Sequence, residues 1–249
     1  MSFRLWKEYF EKNQSHFSEI NWAVVDSLTA EEKNCIGSSI AQFQKGENSE
    51  GKHLFSHAKK YADAEYTECI KLFIREEQMH ARMLGQFMEK HNIPRIKNYW
   101  VDDIFRWLRK LAGMENTIVV LVTAEIIAKI YYNALRQATS SVLLQSLCRQ
   151  ILKDEDSHIS FQCYTIFKLA EKKKFIGRII RQTWHFILML GTIIVVWTTH
   201  KGVLKKGGYY FSRFWLETLL VYFEADRIIK NKDSEKKFIP VTNLAHVEC

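Results

Sequence analysis

Two short segments of the chain repeat one arrangement of acidic and histidine residues. Residues 76–80 read EEQMH and residues 154–158 read DEDSH. On an α-helix, residues three positions apart point to the same side, so the glutamate and the histidine of each segment can bind one metal ion. Carboxylate oxygens combined with imidazole nitrogens suit iron or manganese, and zinc also accepts them. The two segments therefore supply four candidate ligands: Glu77, His80, Glu155 and His158.

Two further glutamates are expected at the same height as these pairs. Glu77 lies 13 residues after an expected turn near residue 64, and Glu50 lies 14 before it, both about 20 Å from the turn at 1.5 Å per residue. Glu125 is the only acidic residue in the apolar run IVVLVTAEIIAKIYY and lies 14 residues before a second turn near residue 139. Glu155 lies 16 residues after that turn. We therefore expect Glu50 and Glu125 to complete the site.

Alternatives exist for the single glutamates. Glu47 lies one helical turn before Glu50 among glycines that blur the register, so it is an alternative ligand. His53 forms a third Glu-x-x-His with Glu50 and is another alternative, although an exposed position explains it more simply. Glu125 could instead form an ion pair with Lys129, one turn later.

The elements that would carry these residues are long helices. The chain has 249 residues with only two Pro and ten Gly, which favours an all-α fold. Capping and stop signals predict four helices, joined in the middle by a long connection over residues 95–115 with a short amphipathic helix at 102–113. Thr29 and Glu32 form the capping box of the first, Asp63 caps the second, and Ser140 or Ser141 begins the fourth. The expected ranges are 29–60, 63–91, 116–137 and 140 or 141 to 173, with a kink at Gly46, Asn48 and Gly51 as an alternative within the first.

Four glutamates and two histidines from four helices resemble the metal site of the ferritin-like superfamily of di-iron carboxylate proteins. The resemblance covers about residues 28–170. It implies a ferritin-like four-helix bundle over residues 1–173, built of two helix hairpins joined by a long crossover, with additional C-terminal helices. It also implies two iron ions, or manganese or a mixed pair, bridged by Glu77 and Glu155. The remaining ligands would be Glu50, Glu125, His80 and His158.

The same resemblance implies roles around the metal ions. Glu76 and Asp154 each precede a ligand glutamate and would accept an imidazole N–H, which orients the ring. Tyr131 and Tyr132 follow Glu125 by about two turns; core packing explains them, and an oxidisable phenol near the metals is the alternative.

The function implied by the resemblance is an oxidase or oxygenase that activates O2, with the metal centre itself as the catalyst. An unidentified small-molecule or lipid-like substrate and an electron donor protein would be its partners. Iron handling, ferroxidation or peroxide scavenging is one alternative. A membrane-associated di-iron hydroxylase or a non-catalytic metal-binding protein is another.

The C-terminal part differs in charge from the rest. Residues 171–249 hold 14 Lys and Arg against 7 Asp and Glu, whereas residues 1–170 are nearly balanced. Residues 182–199 carry no charged residue, and basic residues flank them. We expect residues 174–230 to form an apolar and basic helical extension, first as a buried helix covering the bundle and second as a membrane-surface contact through 174–215. Residues 231–249 are expected to form a mobile tail.

The cysteines and the N-terminus indicate the compartment. Five widely spaced cysteines form no Cys-x-x-Cys pair, which excludes a rubredoxin-type module and makes a disulfide framework unexpected. An N-terminus without a cleavable signal predicts a cytoplasmic protein, with membrane association as the alternative. No nucleic-acid motif accompanies the positive charge, so nucleic-acid binding is not expected, whereas a homodimer is compatible with the sequence.

Overall fold

The computed structural model describes residues 2–14, 19–47, 51–61, 63–97, 104, 113–171 and 173–230. Within these ranges the regular elements are helices and no residue lies in a strand, which confirms the all-α class. The helices are α1 (Phe3–Asn13), α2 (Ala30–Glu47), α3 (Lys52–Tyr61), α4 (Ala64–Lys90), α5 (Met114–Ala138), α6 (Val142–Glu171), α7 (Phe175–Lys206) and α8 (Phe211–Lys230). The expected tail, residues 231–249, lies outside the described residues.

Side-chain caps begin three of these helices. The capping box is confirmed, since the Glu32 N–H donates to Thr29 Oγ1 and the Thr29 N–H donates to Glu32 Oε2, both at 3.1 Å. Asp63 accepts a backbone N–H of the first turn of α4 at 2.8 Å. At α6, the Leu144 N–H donates to Ser141 Oγ at 3.0 Å, so Ser141 rather than Ser140 is the cap.

An unbroken helix over residues 29–60 is wrong, because the chain forms two helices there and is interrupted near the glycines that the sequence marked as an alternative kink. α2 ends at Glu47 and α3 begins at Lys52, and residues 48–50 lie outside the described residues. Gly51 has φ +63°, a left-handed conformation that glycine adopts without strain. A Cβ at Gly51 would also come within 2.5 Å of the Ile74 side chain. The break therefore needs glycine both for its backbone and for its close approach to α4.

Most helix contacts are made by two helices, α4 and α5. α4 contacts α1, α2, α3 and α6, whereas α5 contacts α6 along its length and also α7 and α8. α4 begins three residues after α3 ends, and residues 139–141 separate α5 from α6, so each of these pairs forms antiparallel neighbours. The connection from α4 to α5 is the long one. The short helix expected at residues 102–113 falls outside the described residues apart from Ile104.

The N-terminal helix is part of the core. Trp6 and Phe10 of α1 are fully buried, and Phe10 packs edge-on against Phe161 of α6 with ring centroids 5.2 Å apart. Burying such aromatic side chains stabilises the fold by about 3 kcal/mol each. α1 is thereby held against α4 and α6 at the level of their acidic and histidine residues.

The C-terminal hairpin α7–α8 covers one side of the bundle. α7 packs on α5 and α2, and α8 packs on α6 and α5. The tight turn between them uses Gly207, whose Cβ position would collide with the carbonyl oxygen of Ala134, and Gly208 at φ +78°. The expected buried helix is therefore only half correct: α7 covers the bundle with one face and leaves the other exposed. By length and composition alone, α5 and α7 could each cross a membrane, although α5 is mostly buried in the bundle.

Candidate metal centre

Buried acidic and histidine side chains from four helices meet in the interior of the bundle. Two groups of four have ligand atoms that all lie within 4.8 Å of one another, and each group could hold a metal ion. Glu77 and Glu155 belong to both groups. The first group adds Glu47 and His80, and the second adds Glu125 and His158. The two groups thus share a pair of carboxylates.

Most residues singled out in the sequence come together here. Glu77 and His80 lie on α4, and Glu155 and His158 lie on α6, where pairs three residues apart face the same side. Glu125 joins them from α5. Lys129 does not pair with Glu125, because its Nζ lies 2.5 Å from Asp156 Oδ1. The alternative explanation of Glu125 as half of an ion pair with Lys129 is therefore wrong.

From α2, the alternative ligand Glu47 lies at the site. Glu50 lies outside the described residues, so its expected role as a ligand stays a prediction. The height expected for Glu50 assumes an unbroken helix, whereas α2 ends at Glu47 and Gly51 has φ +63°. His53 is exposed on α3 and belongs to neither ligand group among the described residues.

Each histidine is oriented by an acid from the other helix. His80 Nε2 lies 2.9 Å from Asp154 Oδ2, and His158 Nε2 lies 3.0 Å from Glu76 Oε2. Because α4 and α6 run antiparallel, the acid of one motif stands level with the histidine of the other. An Nε2–H that donates to a carboxylate leaves the Nδ1 lone pair directed at the shared glutamates. Glu76 and Asp154 thus stand where acceptors of imidazole N–H groups are needed.

One amide of α1 holds both of these acids. Asn13 Nδ2 donates to Glu76 Oε1 at 2.8 Å and to Asp154 Oδ1 at 3.0 Å. The hydroxyls of Tyr9 and Ser157 share a further hydrogen bond of 2.5 Å between α1 and α6. No local sequence pattern identifies Asn13 as part of the site, because its partners lie 63 and 141 residues away.

Burial, together with the crowding of like charges, raises the pKa values of the carboxylates at the site. Burial and the charge of Glu77 raise the pKa of Glu47 to about 8. Burial, with the charge of Glu77 adding to it, raises the pKa of Glu155 to about 8 as well. Burial and Glu155 raise the pKa of Glu125 well above its usual range. Like charges in a dry interior must take up protons or be balanced by cations.

The histidine pKa values are raised as well. Burial by itself would lower the pKa of His80, but the hydrogen bond and charge of Asp154 outweigh it and raise that pKa to about 9. Burial likewise opposes the charged form of His158, but the carboxylates of Glu155, Glu76 and Glu77 close to its ring outweigh it and raise its pKa well above the usual range. The raised pKa values mean that the cluster favours bound protons or cations, because either balances the negative charge of its glutamates.

Unsatisfied ligand atoms show that the cluster fits metal ions. Both carboxylate oxygens of Glu155 are buried and accept no hydrogen bond from a described residue, and the same holds for Glu77 Oε1. His158 Nδ1 lies 3.0 Å from Glu77 Oε1, where two lone pairs would repel each other without a shared proton or cation. Buried polar atoms without partners cost about 1 to 3 kcal/mol each. Oxygen and nitrogen donors of this kind fit iron or manganese.

A buried tyrosine contacts the first ligand group. The Tyr132 hydroxyl donates to Glu47 Oε1 at 2.6 Å, and burial with the Glu47 charge raises the pKa of this phenol well above its usual range. Its neighbour Tyr131 instead shares a hydrogen bond of 2.9 Å with Ser39. Tyr132 therefore does more than fill the core, since it fixes one oxygen of a candidate ligand.

Comparison with known proteins finds no family model, no curated protein and no solved structure that matches the chain.

Proposed function

We propose that this protein is a di-iron carboxylate oxidoreductase that activates O2 in a ferritin-like four-helix bundle. The main observation in support of this proposal is that Glu77 and Glu155 each belong to both ligand groups. A structural site for a single ion does not need two sets of ligands that share residues. Acidic side chains without a bound cation are rarely buried together, because removing their charges from water costs free energy. The metal could also be manganese or a mixed pair, since the donor set suits both.

Each side chain has a role in this proposal. Glu77 and Glu155, which belong to both groups, would contribute to holding both ions, while Glu47 and Glu125 would each hold one ion from the neighbouring helices. His80 would complete the first set of ligands, and His158 the second. The bound ions would supply the electrons that reduce O2. The residues of the chain hold these ions in place and keep bulk water out.

The burial of the ligands supports redox chemistry in a sheltered site. The side chains of His80, His158 and Glu155 have no solvent exposure, whereas 15% of the Glu77 side chain is exposed. Glu77 is therefore the most exposed of the six candidate ligands. Phe73 packs edge-on against His158 with ring centroids 4.7 Å apart and closes part of the site with an apolar surface. Exclusion of water limits side reactions of reduced oxygen.

The tyrosine at the site positions one candidate ligand. The Tyr132 hydroxyl donates to Glu47 Oε1 at 2.6 Å and holds that carboxylate at the first ligand group. Burial and the charge of Glu47 raise the pKa of this phenol well above its usual range, so it keeps its proton and this hydrogen bond. Tyr132 would therefore orient Glu47 for a bound ion.

The experiment is a comparison of anaerobic and aerobic iron loading. Purified protein loaded with Fe(II) without oxygen should consume O2 on mixing and change its absorption spectrum. Glu155→Ala should abolish both responses, because both ligand groups lose a member. Asp156→Ala, the adjacent residue whose carboxylate pairs with Lys129, is the matched control and should react like the wild type. An iron-loaded wild type that neither consumes O2 nor changes its spectrum would show the proposal to be wrong.

A further inference from the structure

The hairpin α7–α8 presents an uncovered apolar surface, which we call the outer apolar face. Its large side chains are 51–64% exposed, although the opposite sides of both helices pack on the bundle. The residues are Ile180, Ile187, Ile194, Leu216, Leu220 and Phe223. Soluble proteins rarely leave so many large apolar side chains together in water, and such surfaces mark contacts with another phase or molecule.

The three isoleucines of α7 form one stripe. Ile180, Ile187 and Ile194 are spaced by seven residues, or two helical turns, and stay on one side of the helix over about 21 Å. Residues 182–199 between the basic ends contain no Asp, Glu, Lys or Arg. The stripe is therefore long and uninterrupted by charge.

Positive charge lies at both ends of this stripe. Lys174 and Arg178 lie at the start of α7, and Lys201 and Lys205 lie near its end. Residues 173–230 contain ten Lys and Arg against three Asp and Glu. Lys174, Lys201 and Lys205 form no ion pair with any residue that the structure describes, so their charge is available to a partner. An apolar face with basic ends is complementary to a surface of anionic lipids.

A second copy of the chain fits this face less well. Because both ends of α7 are basic, two copies would place lysines against lysines whether their α7 helices paired parallel or antiparallel. Like charges placed opposite each other oppose association. An anionic surface has no such conflict.

The inner side of α7 fixes the orientation on a membrane. Arg181, His185 and His200 are buried on that side, and His200 Nδ1 lies 2.8 Å from Ser39 Oγ of α2. A helix held on a polar and packed surface along its length cannot be surrounded by lipid, so it would lie in the plane of the membrane. Tyr210, 71% exposed beside Lys205 and Lys206, is an aromatic residue of the type found at the interface.

We propose that the outer apolar face docks this protein onto the surface of an anionic membrane, with α7 and α8 lying in the plane of the interface. The apolar side chains would enter the region between headgroups and acyl chains, while the lysines contact lipid phosphates. The proposal does not depend on the metal centre.

Flotation with lipid vesicles tests the docking. The full-length protein should float with vesicles of phosphatidylcholine and phosphatidylglycerol, and binding should weaken with added salt. Vesicles of phosphatidylcholine alone should bind it much less. Ile187→Glu and Leu220→Glu should each lower the partition coefficient by roughly tenfold or more, since each removes a large apolar contact and adds a negative charge. Leu5→Glu on α1, at a site 48% exposed on another helix, is the matched control and should bind like the wild type.

A second variant tests the contribution of the basic residues without changing any apolar side chain. Lys201→Glu combined with Lys205→Glu should reduce binding to anionic vesicles by roughly tenfold or more and leave the far-UV circular dichroism unchanged. Failure of the wild type to bind anionic vesicles would overturn the proposal. So would a dimer seen by light scattering that Ile187→Glu dissociates while neither protein binds vesicles, because the face would then be an interface between two copies.

Discussion

Asp154 Oδ2 lies 2.9 Å from His80 Nε2, although the two residues are 74 positions apart in the chain. The reciprocal contact joins Glu76 to His158 at 3.0 Å. Each Glu-x-x-His motif thus supplies the acid that orients the histidine of the other motif. The orientation of both rings depends on the register between α4 and α6, so the candidate metal centre and the packing of these helices are coupled.

Removing the acid beside His80 should weaken metal binding. Asp154→Ala should lower iron affinity about 10- to 100-fold, because His80 loses the acceptor that fixes its tautomer. Asp154→Asn should recover part of this loss, since its amide oxygen can still accept the Nε2–H. Competition against a chromophoric chelator measures both affinities. Equal affinity of wild type and Asp154→Ala would contradict the assigned role.

The amide of Asn13 should act on the same site from α1. Asn13→Ala should reduce metal affinity about tenfold, because Glu76 and Asp154 both lose a hydrogen bond that holds them. Glu11→Ala, on the exposed side of the same helix, should have no effect. Chelator competition on both variants decides the question, and a similar loss in the two would assign the effect to α1 packing.

Stability of the metal-free protein should fall as pH rises. The pKa of Glu155 is raised to about 8 and that of His80 to about 9 in the folded protein, from usual values of 4.5 and 6.5. Between the usual and the raised values the folded state binds more protons than the unfolded state, so its free energy of unfolding decreases with pH. The melting temperature should therefore fall from about pH 6 to about pH 9. Circular dichroism melts of metal-free protein measure it.

The metal should reverse this trend. Ligands must lose their protons to bind iron, so the gain in melting temperature on iron loading should grow with pH. Glu155→Gln removes one of the titrating groups and should flatten the pH dependence of the metal-free protein. A melting temperature of the metal-free wild type that rises over this range would contradict the account.

A buried amide next to the site should cost stability. Gln162 lies one turn beyond His158 on α6, has no solvent exposure, and neither of its amide atoms has a hydrogen-bond partner in the described structure. Gln162→Leu should raise the free energy of unfolding by about 1 kcal/mol, because it removes an unsatisfied polar group at similar volume. Gln145→Leu on the same helix should lower it, since that amide donates to the Thr139 carbonyl. Urea denaturation compares them, and a destabilised Gln162→Leu would mean that the amide has a partner.

The candidate ligands of α4, α5 and α6 could be predicted because they depend on local rules. Glu77 with His80 follows from helical spacing, and Glu125 follows from the register of an antiparallel hairpin with a short turn. The height expected for Glu50 assumes an unbroken helix, but Gly51, at φ +63°, interrupts that helix. Glu47 lies at the site, whereas Glu50 lies outside the described residues and its role as a ligand stays a prediction.

Other features depend on contacts that no sequence pattern reports. Asn13 reaches its two acids only after α1 packs on α4 and α6. The stretch 182–199 of α7 has no charged residue on any side, so its sequence pattern could not distinguish the face that packs on α5 from the outer apolar face. Only tertiary packing separates the two.

The most direct test of the account is the iron content of single-ligand variants by elemental analysis. The wild type should bind about two iron ions per chain, and Glu125→Ala, which touches only one ligand group, should keep about one. Glu155→Ala should bind almost none, because that carboxylate belongs to both groups. A wild type that binds no iron, or a Glu155→Ala variant that keeps both ions, would contradict the shared-carboxylate centre.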